Sequence, residues 1–328
     1  MEIRLLNAWV LAALGLLAGP CARVDVALAQ SRASFAHERD IVTEFGRVVP
    51  TWGGSELVGI DFDSSKTPML YAVDREGRRE EIWLDLPGAD TIDVQFATGG
   101  PDGSVAAVGY ARSSDSHAGH FLIWISADRK RRTVVQLEPY VADRVALAGD
   151  GSIWVVGGLR NEAPARDESK HNILRRYDTS GRALTSFHVR ARARPAIAPD
   201  AASMSYLMAS RDRVGWFTNG CEYIEFSFDG KELARLSGPP DVDFKQIAGV
   251  GLDAEDSLFV GRKGDETFDF EVLEFDRNSG AWRKAAVTGP NTPHGARILG
   301  FDGTTLVTME QAGTIRRFTR AKGEAVAQ

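Results

Sequence analysis

Cysteine is nearly absent from this chain: two occur in 328 residues, Cys21 and Cys221. A disulfide framework of the kind that staples small exported domains is therefore excluded, and stability has to come from packing. Apolar runs are short. The longest, residues 8–18, is about half of the roughly twenty residues that a membrane-crossing helix needs. A basic excess is also missing: the formal net charge is −6, with acids and bases mixed along the chain. That balance argues against general nucleic-acid binding, which calls for a basic footprint. The short basic run Arg129-Lys130-Arg131-Arg132 reads as a solvated turn. No nucleophile elbow and no phosphate-cradling glycine loop is present.

The first residues read as an export signal. Arg4 precedes the apolar stretch 8–18, and Ala27-Leu28-Ala29 has the small-x-small form of a cleavage site. Residues 1–29 are expected to be removed, giving a periplasmic or secreted protein with no transmembrane segment. Leu17-Ala18-Gly19-Pro20-Cys21 is the rival lipoprotein signal, with Pro20 where the small residue should stand. Removal of Cys21 leaves Cys221 alone, expected as a buried, inert thiol at a strand start.

What the chain does have is a phrase repeated six times: a small or acidic turn, then Ser or Thr, then alternating apolar residues. The anchors are Ser55, Ser104, Ser152, Ser203, Ser257 and Thr304, spaced 49, 48, 51, 54 and 47 residues apart. Strands and tight turns with a period near fifty predict a β-propeller. The third repeat shows the four strands, near residues 144–148, 152–157, 172–177 and 182–189. A second turn recurs in Val73-Asp74-Arg75-Glu76-Gly77, Ile125-Ser126-Ala127-Asp128, Tyr177-Asp178-Thr179-Ser180-Gly181, Phe228-Asp229-Gly230 and Phe275-Asp276-Arg277-Asn278-Ser279-Gly280. In such turns Asp bonds the backbone two residues on and Gly takes the left-handed angle. The sixth repeat lacks a fourth strand. Asp40-Ile41-Val42-Thr43-Glu44-Phe45 supplies it, so the N-terminal strand is expected to complete the last blade and cover its open edge. The fold class is all-β: six four-stranded antiparallel blades, with residues 30–328 a single domain and a monomer expected.

These residues resemble the six-bladed propellers of the NHL-repeat type and related families. Ala248-Gly249-Val250-Gly251-Leu252-Asp253-Ala254-Glu255-Asp256-Ser257-Leu258-Phe259-Val260 is similar to the consensus of apolar run, Asp, turn and apolar run. The resemblance implies a binding face carrying the loops between blades and between the second and third strands, here including residues 110–120, 158–171 and 210–221. Members range from protein-binding scaffolds to lactonases and lyases, so the fold does not specify activity. Lactonase-type relatives of the senescence-marker family hold a divalent metal with an early Glu and later Asn and Asp. Glu56 is early but inside a strand, and the Asn-Asp-Gly phrase is missing.

Two constellations are candidates for a site. Arg47, Arg144, Arg194 and Arg297 open the innermost strands of four repeats, preceding their anchors by 8, 8, 9 and 7 residues. Converging at the channel mouth, they would grip a carboxylate, phosphate or sulfate. His117, His120, His171 and His294 fall in loops of the expected functional face and, with Asp115, Asp143 or Glu168, offer zinc-type donors. Trp83, Trp124, Trp154 and Trp282 are expected to pack between blades. Trp52, Trp216 and Phe217, near loops, are either core residues or a stacking platform for sugar. The leading reading is an exported binding or scaffold module for a protein or small anionic ligand, without a cofactor. The second is a metal-assisted, lactonase-like hydrolase or lyase on a small anionic substrate, using a divalent metal.

Overall fold

The computed structural model describes residues 33–42, 50–61, 69–114, 118–159, 174–187, 205–264, 270–289, 296–310 and 314–321. Strand β1 (Ser34–Val42) comes first. The first blade is β2 (Thr51–Gly53), β3 (Glu56–Asp61), β4 (Met69–Val73) and β5 (Arg79–Trp83). The second is β6 (Thr91–Gly99), β7 (Val105–Arg112), β8 (Ala118–Ile125) and β9 (Arg132–Gln136). β10 (Tyr140–Leu147), β11 (Ile153–Leu159), β12 (Leu174–Tyr177) and β13 (Ala183–Phe187) form the third. The fourth holds β14 (Tyr206–Ala209), β15 (Arg213–Phe217), β16 (Glu222–Ser227) and β17 (Glu232–Ser237). The fifth holds β18 (Ile247–Leu252), β19 (Leu258–Lys263), β20 (Phe270–Asp276) and β21 (Ala281–Lys284). Strands β22 (Ala286–Thr288), β23 (Arg297–Asp302), β24 (Thr305–Met309) and β25 (Thr314–Arg320) join β1 in the sixth sheet, in the order β22-β1-β25-β24-β23. The chain is a six-bladed β-propeller.

Tight turns set the hairpins. Asp74 Oδ1 accepts from the backbone N–H of Glu76 (3.0 Å) and Arg78 (2.8 Å), and Gly77 takes φ 84°. Asp178 repeats this with Ser180 and Arg182, both at 3.0 Å, and Gly181 at φ 85°. In the second blade the left-handed place belongs to Arg129 (φ 59°). That conformation disfavours a side chain, but Arg129 bonds Gly103 O (2.7 Å), Glu56 (3.2 Å) and Glu80 (3.0 Å), fastening two blades together.

Alternation along each strand feeds two cores at once. On β7, Val105 and Ala107 pack toward the first blade, while Ala106 and Val108 pack toward the third. The described residues form six apolar clusters, one at each interface between neighbouring blades. The sixth interface, between the last blade and the first, is apolar too, holding Trp52, Leu57, Tyr71 and Ile315.

The N-terminal strand completes the last blade. It pairs antiparallel with β25 from Phe35↔Arg320 to Val42↔Thr314. A register shift between His37 and Arg39 flips the side-chain parity. Phe35 thereby reaches the core toward the fifth blade and Ile41 the core toward the first. The strand begins earlier than expected, at Ser34, and it is not the outermost: β22 pairs with it in parallel and covers its free edge.

The fourth repeat corrects the register read from sequence. Tyr206–Ala209 is the innermost strand, not the second; the second is Arg213–Phe217, entered through the turn Ser210-Arg211-Asp212. Residues 210–221 accordingly hold a strand between two turns rather than one loop. Trp124 and Trp154 are buried and Trp282 packs on Phe275 at 5.3 Å, but Trp83 is 51% exposed. It lies on an outermost strand, where three of its four neighbours on β5 are also exposed. Trp52, Trp216 and Phe217 are core residues. Residues 1–32 lie outside those described, and no helix among the described residues is long and apolar enough to cross a membrane.

Candidate functional site at the arginine end of the channel

The innermost strands enclose a central cavity of about 1170 Å³. Its two ends differ because each inner strand enters at one end and turns back at the other. The turn end is closed in by Gly54, Asp102, Gly149, Arg211, Asp253 and Gly303. At that end the blades approach backbone to backbone: a Cβ on Gly53 would collide with Gly99 O, and one on Gly300 with Trp52 O. Glycine is required there because the ring narrows toward its axis.

Acids at the turn end are consumed by the fold. Asp253, 1% exposed, accepts from Arg320 (2.6 Å) and from the backbone of Glu255 and Ser257. Asp302 pairs with Arg317 at 2.7 Å and with Arg75 of the first blade. Asp102 Oδ1 takes the Ser104 backbone N–H (2.9 Å) and hydroxyl (2.6 Å).

Of the four arginines on the cavity wall, Arg75 and Arg211 stand at the turn end, and Arg144 and Arg297 lie on inner strands toward the opposite end. Arg144 follows Asp143, the extra residue of a bulge between Ala142 and Arg144. Bulges re-aim side chains, and similar register shifts occur in β6, β18 and β23. The Arg144 guanidinium donates Nε to Ser205 O (3.0 Å) and Nη1 to Asp143 O (2.7 Å), and lies 4.9 Å from the centroid of Phe96. Burial holds its pKa below the usual arginine range, partly offset by Asp143. Burial also raises the Asp143 carboxyl to about 6, against the pull of Arg144.

The Arg297 side chain, half-buried on the wall, makes no hydrogen bond or ion pair among the described residues. Tyr206 stands within the field of both guanidiniums; burial, the larger effect, keeps its phenol above the usual pKa. Its hydroxyl donates to Ile247 O at 3.4 Å. Phe244 faces it, ring centroids 6.0 Å apart, from a single 3₁₀ turn, Phe244–Gln246. That turn is locked by a capping box: Asp243 Oδ1 accepts from Lys245 N (3.1 Å), and Gln246 Oε1 from Asp243 N (2.9 Å).

Two of the four sequence-predicted arginines, Arg144 and Arg297, thus line the cavity. Arg47 and Arg194 lie outside the described residues, and the strand that Arg194 was expected to open starts instead at Tyr206. Among the histidines, His117, His171 and His294 also lie outside them, as do Asp115 and Glu168. His120 is not in a loop: it sits in β8, 5% exposed, opposite Tyr110, with the two rings 5.2 Å apart. No group of three His, Cys, Asp or Glu among the described residues is placed to hold a metal ion. Cys221 is half-buried rather than buried, in a left-handed turn position (φ 55°), and its thiol donates to Val242 O at 3.6 Å. Tyr206 and Phe244 escaped the sequence reading; Asp243-Phe244-Lys245-Gln246, a capping-box phrase, was the available signal for the second.

No family model and no curated protein matches the chain. Among solved structures it is similar to one described as the complex of KlAtg21 with the coiled-coil of AgAtg16. Identity is 14% and the TM-score 0.48, over 83% of this chain and 80% of that one. The six-bladed ring stands on this chain's own strand order.

Proposed function

We propose that this protein is an exported binding module that takes a small anionic ligand at the arginine end of its channel. One observation carries the reading: Arg297 lines the cavity without a partner among the described residues, while Asp253 and Asp302 on the same wall are already paired. A guanidinium cannot neutralise itself by losing its proton. Its charge in a narrowing, partly desolvated cleft is therefore matched most strongly by an incoming anion, and Arg144 adds a second positive charge to the same field. Export rests on residues 1–29, and the expected mature N-terminus follows Ala29.

Titration calorimetry with succinate, glucuronate, benzoate and inorganic phosphate tests the module. At least one should bind, and Arg297→Gln should weaken it by about tenfold or more, the loss of one charge-assisted hydrogen bond. No binding by any of the four, or equal binding by the variant at unchanged melting temperature, overturns the proposal.

A further inference from the structure

We infer that the anion carries a flat apolar body, making an aromatic carboxylate the ligand class of this channel; the inference rests on the proposed function. Three rings on the cavity wall, Phe96, Tyr206 and Phe244, are only half-buried, and all three belong to the arginine end. The wall's other rings are sealed within the blades: Trp52 is 5% and Phe301 8% exposed. The contrast matters because burying an aromatic side chain is favourable, so a propeller core normally closes over its rings.

The rings and cations are also interleaved. Phe96 lies under Arg144, Tyr206 is near enough to feel the charge of both Arg144 and Arg297, and Phe244 packs between Tyr206 at 6.0 Å and Phe217 at 6.4 Å. The five residues come from the second, third, fourth and sixth blades and from the connection into the fifth, so the grouping exists only in the closed ring. Phe244 is held toward the channel by the capped 3₁₀ turn, a local device rather than a frayed loop end.

Chemistry narrows the occupant. Phosphate or sulfate would satisfy Arg297 but leave the exposed parts of Tyr206 and Phe244 uncovered. A neutral aromatic would cover the rings but leave the guanidinium unmatched. A carboxylate on a flat body meets both demands, and the cavity, at about 1170 Å³, is somewhat larger than the usual small-molecule site of about 300–1000 Å³, so such a ligand fits with room to spare.

The test compares benzoate, succinate, inorganic phosphate and benzyl alcohol by calorimetry on the intact protein. Benzoate should bind about five- to tenfold more tightly than succinate, the ratio that a stacking contact supplies. Phe244→Ala should lower benzoate affinity by about fivefold and leave succinate within about twofold. Phe244→Leu keeps apolar bulk in the 3₁₀ turn and should show the same loss without the flat face, which separates stacking from a folding defect. Succinate or phosphate binding as tightly as benzoate, or benzoate unaffected by both Phe244 variants, overturns the aromatic assignment while leaving an Arg297-dependent anion site standing. Benzyl alcohol matching benzoate overturns it too. Loss of all Arg297-dependent binding removes the proposed function and this inference together.

Discussion

Phe35→Ala tests the closure of the ring at the point where the two ends of the chain meet. Phe35 is fully buried, with its ring 5.5 Å from Phe259 and 6.3 Å from Phe301. Phe318 belongs to the same cluster. Truncation removes the transfer energy of a complete aromatic side chain and leaves a space bounded by other rings on strands held in register. Collapse into that space is limited, so the loss should fall within the about 3–5 kcal/mol found for buried Phe→Ala changes. At roughly 2.1 cal/mol/K of unfolding entropy per residue, a domain of about 290 residues shifts by about 1.6 °C for each kcal/mol, which predicts a fall of about 5–8 °C. The comparison is Leu233→Ala on the outermost strand β17, where Leu233 is 47% exposed and about 0.5 kcal/mol or less is expected. Urea denaturation of the two variants beside the parent protein reads the difference. A Phe35→Ala loss below about 1 kcal/mol, indistinguishable from Leu233→Ala, would refute the claim that β1 is a structural part of the sixth blade.

Two other outcomes follow from buried charge. Glu225, 1% exposed, accepts two bonds from Arg277 of the next blade (2.8 and 3.0 Å) and one from Arg213 (3.3 Å). Glu225→Gln should destabilise by about 3 kcal/mol, the low end for a broken buried pair, because both arginines retain some contact with water. Glu232→Gln, at the surface pair with Arg235, should change stability by under about 1 kcal/mol, and equal losses in denaturant midpoints would show that Glu225 is no keystone. Asp143 keeps its proton in the folded protein up to about pH 6, whereas the unfolded chain releases it near 3.9. The folded state therefore binds the extra proton between about pH 4 and 6, and this side chain's contribution falls as pH rises through that window. Asp143→Asn should gain stability relative to the parent protein from pH 4 to pH 7; parallel stability curves would show that its carboxyl titrates normally.

Much of the ring was legible because its punctuation is local. An Asp that bonds two residues ahead and a Gly at positive φ act within five residues, so Asp74-to-Gly77 and Asp178-to-Gly181 announce themselves wherever they stand. The fourth blade failed for the same reason. Its inner turn, Ser210-Arg211-Asp212, contains no glycine, and Ala202-Ser203 imitated the phrase one strand too early. His120 looked like a loop residue because it follows Ser113-Ser114-Asp115-Ser116-His117-Ala118-Gly119, although β8 has already begun at Ala118. At the site, the recurrence of arginine before the anchors pointed to Arg144 and Arg297, while Tyr206 and Phe244 have no counterpart in the other repeats to give them away.

The linear order of residues was enough for the class of fold, the count of blades and the loan of an N-terminal strand, since each depends on short-range turn chemistry and on alternation with a period of two. Only the closed structure decided which side chains share a space. Phe96, Arg144, Tyr206, Phe244 and Arg297 span some two hundred positions of sequence, and nothing local relates them. They share one cavity wall because six sheets must converge on one axis to bury both of their faces, and that convergence, not any motif, brings two cations and three half-buried rings to one channel.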